Sequence, residues 1–333
     1  MKQIGNTLRK LRDSMISRII RQAAEKARQP QVKQATGKWV WAVSRSFLMI
    51  GLSFVILYPI LYMTLMAFRP VIDLTDPSVV WIPKQLTLDN IKQAAGALDL
   101  RETAVTTVII TLGSIILQTG STALTGYGFA RFQFPAKKLL FALLIFNIIV
   151  PPTTVLNPYF MQFRYFTFFG LTAPFGFSVN LINKELTFFI PALFANGIKS
   201  GLIVYIFIQF FKGMPRELED AANIDGCGSL KAFLRIIIPN AVPVFVTVII
   251  FSAVWYWNDY FFSSLLLPSN KTISVALQGL EAVLRSEMGT SDPFKTICAM
   301  QAGSLILISP LLIMYLFLQR FFIESIEQSG IVG

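Results

Sequence analysis

Few residues in this chain are able to do chemistry. There is no histidine among the 333 residues. That removes the usual general base, the Ser-His-Asp or Cys-His nucleophile pair and the commonest metal ligand. The only thiols, Cys227 and Cys298, stand far apart and make neither a zinc cluster nor a disulfide framework. No stretch matches G-x-x-x-x-G-K-[ST], so the chain has no phosphate cradle of its own. What remains is one dense run of carboxylates, Glu217, Glu219, Asp220 and Asp225, leading to Gly226. Two further charges, Lys199 and Asp259, stand alone in apolar stretches. This is poor material for an enzyme. We assign no catalytic residue, no metal site and no cofactor to the chain.

The carboxylate run opens a segment, Met214–Pro243, that does not read as a plain connector. Pro215 suits the first position of a helix, and Glu217, Glu219 and Asp220 suit its positive end. Leu218, Ala221 and Ala222 fall on one small-residue face. Asp225-Gly226-Cys227-Gly228 then breaks the helix, because glycine accepts positive φ at little cost. Ser229 can cap a second helix, with Leu230, Phe233, Leu234 and Ile237 as its apolar face and Pro239 as its end. The pattern predicts two short amphipathic helices joined by a tight turn. Such a unit either offers a helix to a groove on a soluble partner or lies on lipid.

The elements that carry these residues are membrane spans. Apolar residues make up 54% of the chain and charged residues 14%, with a mean hydropathy of +0.61. An average soluble domain has roughly 25% charged residues, so this balance excludes a cytosolic enzyme and a disordered chain. A bilayer core of ~30 Å takes about 20 apolar helical residues. Six stretches fit: Phe47–Phe68, Thr106–Ala130, Leu139–Phe163, Leu186–Phe211, Ala241–Leu266 and Ala299–Phe322. The first is too far from Met1 and too long for a signal peptide, so it is read as a retained anchor.

Charge sets the orientation. Eleven of the Lys/Arg residues fall between Met1 and Arg45, with only Asp13 and Glu25 against them. With the N-terminus inside, the inner segments hold 19 Lys/Arg and the outer segments nine. This bias predicts both termini in the cytoplasm. Residues 1–45 then form a basic cytoplasmic arm at the membrane surface rather than on nucleic acid, and residues 46–333 form the membrane domain. The Met214–Pro243 unit is cytoplasmic, and the two cysteines lie on opposite sides of the membrane.

At this point the segment resembles the EAA loop of ABC importer permeases. The triplet here is Asp220-Ala221-Ala222, then Asn223, Ile224 and Asp225, then Gly226, with Phe233 and Pro239 downstream. Asp220 replaces the glutamate, and Glu219 beside it is expected to stand in. Cys227 replaces the usual alanine. Further matches point to the carbohydrate-importing, maltose-type (MalG-like) permeases. They are Pro83, Thr87, Leu88 and Asn90; Tyr127-Gly128-Phe129-Ala130-Arg131 with Phe134-Pro135; Pro151, Pro152, Pro158 and Tyr159; Trp257-Asn258-Asp259-Tyr260; and Pro310 with Leu318-Gln319-Arg320-Phe321-Phe322.

The resemblance implies an all-α membrane protein of six transmembrane helices with a cytoplasmic coupling helix-turn-helix, in a bacterial inner membrane. It implies a second permease subunit, an ATPase dimer that holds the ATP and magnesium, an extracytoplasmic solute-binding protein, and a sugar or oligosaccharide as solute. Glu219, Asp220, Ala221, Ala222, Asp225, Gly226, Phe233 and Pro239 would couple to the ATPase. Pro151, Pro152, Asn157, Tyr159, Lys199, Asn258 and Asp259 are the candidates to line a pathway. Two of them keep two readings. Lys199 either lines a polar cavity or subunit contact, or marks a helix unwound around Gly197. Asp259 is either a solute contact or part of a hydrogen-bond network that anchors helices. The rival classes are a permease for a non-carbohydrate solute and a stand-alone secondary transporter, which needs more titratable groups at mid-membrane than these two.

Overall fold

Of the six apolar stretches, three fold as continuous helices and three are broken. The computed structural model describes residues 30–79, 81–168, 170–224, 226–286 and 292–330. Most of the basic arm and Asp225 therefore lie outside the described residues. The described residues form helices, with a single isolated bridge between Phe166 and Val179 and no strand. The chain divides into two compact units at Tyr62. The first contains most of α1 (Pro30–Ala67), whose Trp41–Ala67 part is apolar and long enough to cross a membrane.

The second unit is built around α3 (Leu100–Arg131), which follows a short α2 (Asp89–Ala97). At 1.5 Å per residue the 32 residues of α3 extend about 48 Å, more than one bilayer core. Its buried side is polar but small: Thr103, Thr107, Thr111, Ser114, Gln118 and Thr122 recur at steps of three and four. Several hydroxyls bond back to their own helix, as Thr107 does to the Thr103 carbonyl at 2.6 Å. Small residues let helices approach closely where lipid supplies no hydrophobic drive. Gly126 is such a point, since a Cβ there would stand 2.5 Å from Cβ of Phe207.

The third expected span, Leu139–Phe163, is not one continuous helix. It is α4 (Lys137–Ile149) and α5 (Pro152–Arg164), bent by 104°. Pro151 and Pro152 supply no N–H, and Val150 and Pro151 are extended. The fourth, Leu186–Phe211, is α6 (Leu186–Leu193) and α7 (Ser200–Gly213) with a non-helical stretch between. The fifth, Ala241–Leu266, is α10 (Val242–Trp257) and α11 (Phe261–Leu266). Apolar content located these stretches, but the breaks depend on partners elsewhere in the chain. The sixth, Ala299–Phe322, lies inside the longer α13 (Pro293–Gly330), which follows α12 (Ile273–Ser286).

Between α7 and α10 stand α8 (Glu217–Ile224) and α9, the helical run Ser229–Asn240. α8 begins two residues after Pro215, not at it. Ser229 is the first residue of α9 and makes no capping bond, so the expected cap is absent. α9 holds a π turn over Phe233–Ile237 that carries it past Pro239 to Asn240. The π bond from Ile238 N–H to the Phe233 carbonyl lets the helix continue where a proline would otherwise stop it.

Candidate functional site

The cytoplasmic unit is bolted to the end of α3. Arg131 Nε donates to Glu219 Oε1 at 2.6 Å, and its Nη2 donates to the Met214 carbonyl at 3.0 Å. Tyr127 Oη, one turn earlier, donates to Glu219 Oε2 at 3.3 Å. The Arg131 and Glu219 side chains are 6% and 15% exposed, so this pair is largely out of water. Around it lies an aromatic cluster. The Tyr127 ring sits 4.7 Å from Phe233 and 5.9 Å from Phe211, centre to centre. Phe233 and Ile237 of α9 are buried in the same core as Phe207 and Phe211.

Two expectations change here. Glu219, expected to stand in for Asp220, has both carboxylate oxygens engaged within the chain. Asp220 itself is exposed. The apolar face expected of α9 is split: Phe233 and Ile237 point inward, while Leu230 and Leu234 are exposed. Ile224, at the end of α8, is exposed as well. The backbone of Ala221 and Ala222 continues α8. Gly226 has φ +76°, the positive value expected of it, and open space where a Cβ would stand. Pro239 is exposed near the end of α9.

The second region is the break between α6 and α7. It leaves backbone groups unpaired inside a span, which lipid cannot satisfy. Residues far away in sequence do so. Ile198 N–H donates to Tyr256 Oη at 3.1 Å, and Gln118 Nε2 donates to the Ile198 carbonyl at 3.0 Å. Tyr256 Oη donates in turn to Gln118 Oε1. Ser121 Oγ donates to the Ala192 carbonyl at 2.6 Å. Lys199 takes a left-handed φ of +56° at the residue before α7.

This clamp borders a cavity of about 190 Å³. Its lining brings together three of the expected residues: Pro152, Tyr159 and Lys199. Asn147, Asn196, Phe188 and Phe262 line it too. Tyr159 Oη donates to the Asn196 carbonyl and accepts from Asn196 Nδ2, both at 3.1 Å. Pro151, Asn157, Asn258 and Asp259 are not in the lining. Asp259 instead accepts bonds from Ser263 N and Oγ at 2.7 and 2.8 Å and caps α11. Asn258 donates to the Val254 carbonyl at 2.9 Å, and Trp257 Nε1 to the Leu307 carbonyl at 2.8 Å. The Trp-Asn-Asp run thus builds a corner. Gln118, Tyr256 and Asn147 escaped the sequence reading. The one available signal was an amide or phenol within an apolar stretch.

Comparison with known proteins follows from this geometry. Residues 120–327 match the family described as "Binding-protein-dependent transport system inner membrane component". The arabinooligosaccharide transport permease AraQ of Halalkalibacterium halodurans is 26% identical over 88% of this chain and 96% of its own length. The melibiose/raffinose/stachyose import permease MelC of Bacillus subtilis is 28% identical over 78% of this chain and 86% of its own. A crystal structure of a bacterial ABC transporter that imports the acidic polysaccharide alginate contains a chain of the same fold. Its TM-score is 0.65 at 16% identity, over 86% of this chain and 98% of that one.

Proposed function

This chain belongs to the family of binding-protein-dependent transport system inner membrane components, and from that premise we propose that it is the transmembrane subunit of an ATP-driven importer of a sugar or oligosaccharide. The observation that carries the mechanism is the Arg131–Glu219 bolt. It makes α3 and the cytoplasmic unit one mechanical part, while Asp220, Ile224, Leu230 and Leu234 remain free for a partner. That partner is a separate ATPase dimer, which holds the ATP and magnesium. Its closure pushes on α8, and Glu219 passes the displacement to Arg131. Gln118 lies 13 residues up α3, a rise of about 20 Å, and grips the broken span. One helix therefore joins the site of ATP-driven movement to the cavity.

The solute class rests on the relatives, whose names specify arabinooligosaccharides and melibiose, raffinose and stachyose. A second permease would complete the pathway, and an extracytoplasmic binding protein would deliver the solute. The Lys/Arg bias supports an inner-membrane protein with both termini in the cytoplasm.

The test uses tagged chain, copurification of the ATPase, and sugar uptake. Asp220→Asn should weaken ATPase association. Glu219→Gln should keep the ATPase bound but let it hydrolyse ATP without matching uptake. If wild type brings down no ATPase, or if both variants couple normally, this reading fails.

A further inference from the structure

We propose that the imported saccharide carries an acidic group and that Lys199 receives it. The proposal rests on the saccharide-import reading and names the substrate class of the same cavity. A lysine within a span is costly unless it meets water, a partner or a ligand. Along α7, Lys199 stands about 20 Å from Gly213, the inner end of that helix. A four-carbon stem does not reach the inner interface from there. Among the described residues no carboxylate pairs with it. The nearest candidate by sequence reading, Asp259, is occupied by Ser263 and by the Phe262 N–H.

The surroundings are those of a binding site for an anionic sugar. Lys199 immediately precedes α7, whose 14 residues direct a positive end at the cavity. Gly201 makes room for Asn147, since a Cβ there would stand 2.7 Å from Asn147 Oδ1. The Asn147 amide has no hydrogen-bond partner among the described residues, so it is free to bond a hydroxyl. Phe188 and Phe262 supply apolar walls. The strained backbone at Lys199 is held by the Gln118–Tyr256 clamp next to it, which fixes where the ammonium group starts. A carboxylate or a phosphate on a sugar satisfies this charge equally.

The experiment uses the complete importer, reconstituted in vesicles with its ATPase, second permease and binding protein. The probes are digalacturonate, a glucose phosphate and neutral galactobiose, and the readout is the ratio of acidic to neutral uptake. Wild type should favour one of the acidic probes, and which one identifies the group. Lys199→Met should lower the ratio about tenfold or more, and Lys199→Arg should restore it. An unchanged ratio in Lys199→Met overturns the proposal. So does loss of the second permease on purification of Lys199→Met, because the lysine would then be an intersubunit ion pair. If galactobiose is imported and no acidic probe is favoured, saccharide import stands and this inference falls. If none of the three is imported, this inference falls, and the import reading stands or falls on ATPase copurification and sugar uptake as set out above.

Discussion

Two glycines break helices in this chain, and they do so for opposite reasons. Gly226 turns the cytoplasmic unit with φ +76° and has nothing near the position of a Cβ. Gly197 does not take a positive φ; the left-handed residues beside it are Ala195 and Lys199. A Cβ at Gly197 would instead collide with Tyr256 Oη and Gln118 Oε1, and would stand 3.3 Å from Cα of Ala192. One glycine is needed by its backbone, the other by its neighbours. The difference follows from what each break faces. The break between α6 and α7 is closed by this chain's own side chains. The turn at Gly226 has open space where a side chain would stand.

The largest effect expected from this contrast is at Gly197. Gly197→Val forces side-chain atoms into the clamp and parts Tyr256 from Gln118. Overpacking costs about 1–3 kcal/mol, and each orphaned buried polar group about as much again. The sum is about 4 kcal/mol or more, enough to lower the thermal midpoint of the detergent-solubilised chain sharply and to stop uptake. Tyr256→Phe should reproduce part of this by leaving Ile198 N–H unpaired. A Gly197→Val chain with a wild-type midpoint would mean that the break is not closed this way.

Second comes the bolt. Arg131→Met leaves the Glu219 carboxylate largely buried without its cation. Breaking a buried pair from one side costs about 3–5 kcal/mol. Glu219 keeps some contact with water, so the low end, about 3 kcal/mol, is expected. Arg131→Met with Glu219→Gln should cost less than the two single changes added together. Strict additivity in a double-mutant cycle of thermal midpoints would show that the two groups do not act as a unit.

These two regions were legible in the sequence to different degrees. The cytoplasmic unit is local: its charges, glycine and apolar positions fall within one short segment, so helix, turn and helix can be read from spacing. The choice between Glu219 and Asp220 could not be read, because Arg131 lies 88 residues away from Glu219. The membrane clamp is nonlocal throughout. Gln118 meets Ile198 across 80 residues and Tyr256 across 138. Hydropathy marks Leu186–Phe211 as one span because it measures composition, not the hydrogen bonds that make a break tolerable. Lys199 and Gly197 were the surface signs of that break. Pro151-Pro152 was legible because proline acts on its own backbone, but its 104° bend depends on what packs on either side.

A smaller effect is expected at the open glycine. Gly226→Ala meets no atoms, so its cost is the strain of a left-handed backbone, about 1–2 kcal/mol. The thermal midpoint should fall slightly while ATPase copurification falls much more. Gly226→Pro, which cannot take positive φ at all, should abolish ATP-dependent uptake in a chain that still inserts. Equal losses of stability and copurification in Gly226→Ala would place this turn with the α6–α7 break rather than opposite it.

The smallest effect is expected from an ion pair that resembles the bolt only in composition. Asp76 and Lys84 meet in the loop between α1 and α2, with side chains 35% and 57% exposed against 15% and 6% for Glu219 and Arg131. The Lys84 hydrogen bond, followed by those from Ser78 Oγ and N–H, holds the Asp76 carboxyl well below the usual carboxylate range. The same bond raises the Lys84 ammonium. A depressed carboxyl stabilises the folded loop above the unfolded value of about 3.9 and ceases to do so as pH falls toward the folded value. A raised ammonium stabilises it below about 10.4 and ceases to do so as pH rises through the folded value. The pair therefore acts between roughly pH 4 and pH 10 and fades outside that window. It is also open to salt, which screens exposed charges far more than buried ones. Asp76→Asn should accordingly leave the thermal midpoint and uptake near wild type at neutral pH, and high salt should remove what difference remains. Arg131→Met should keep its full effect in the same high salt. If Asp76→Asn proves as damaging as Arg131→Met, or if salt erases both, then burial is not what separates the two pairs, and the bolt has no claim to carry force between the ATPase and the membrane.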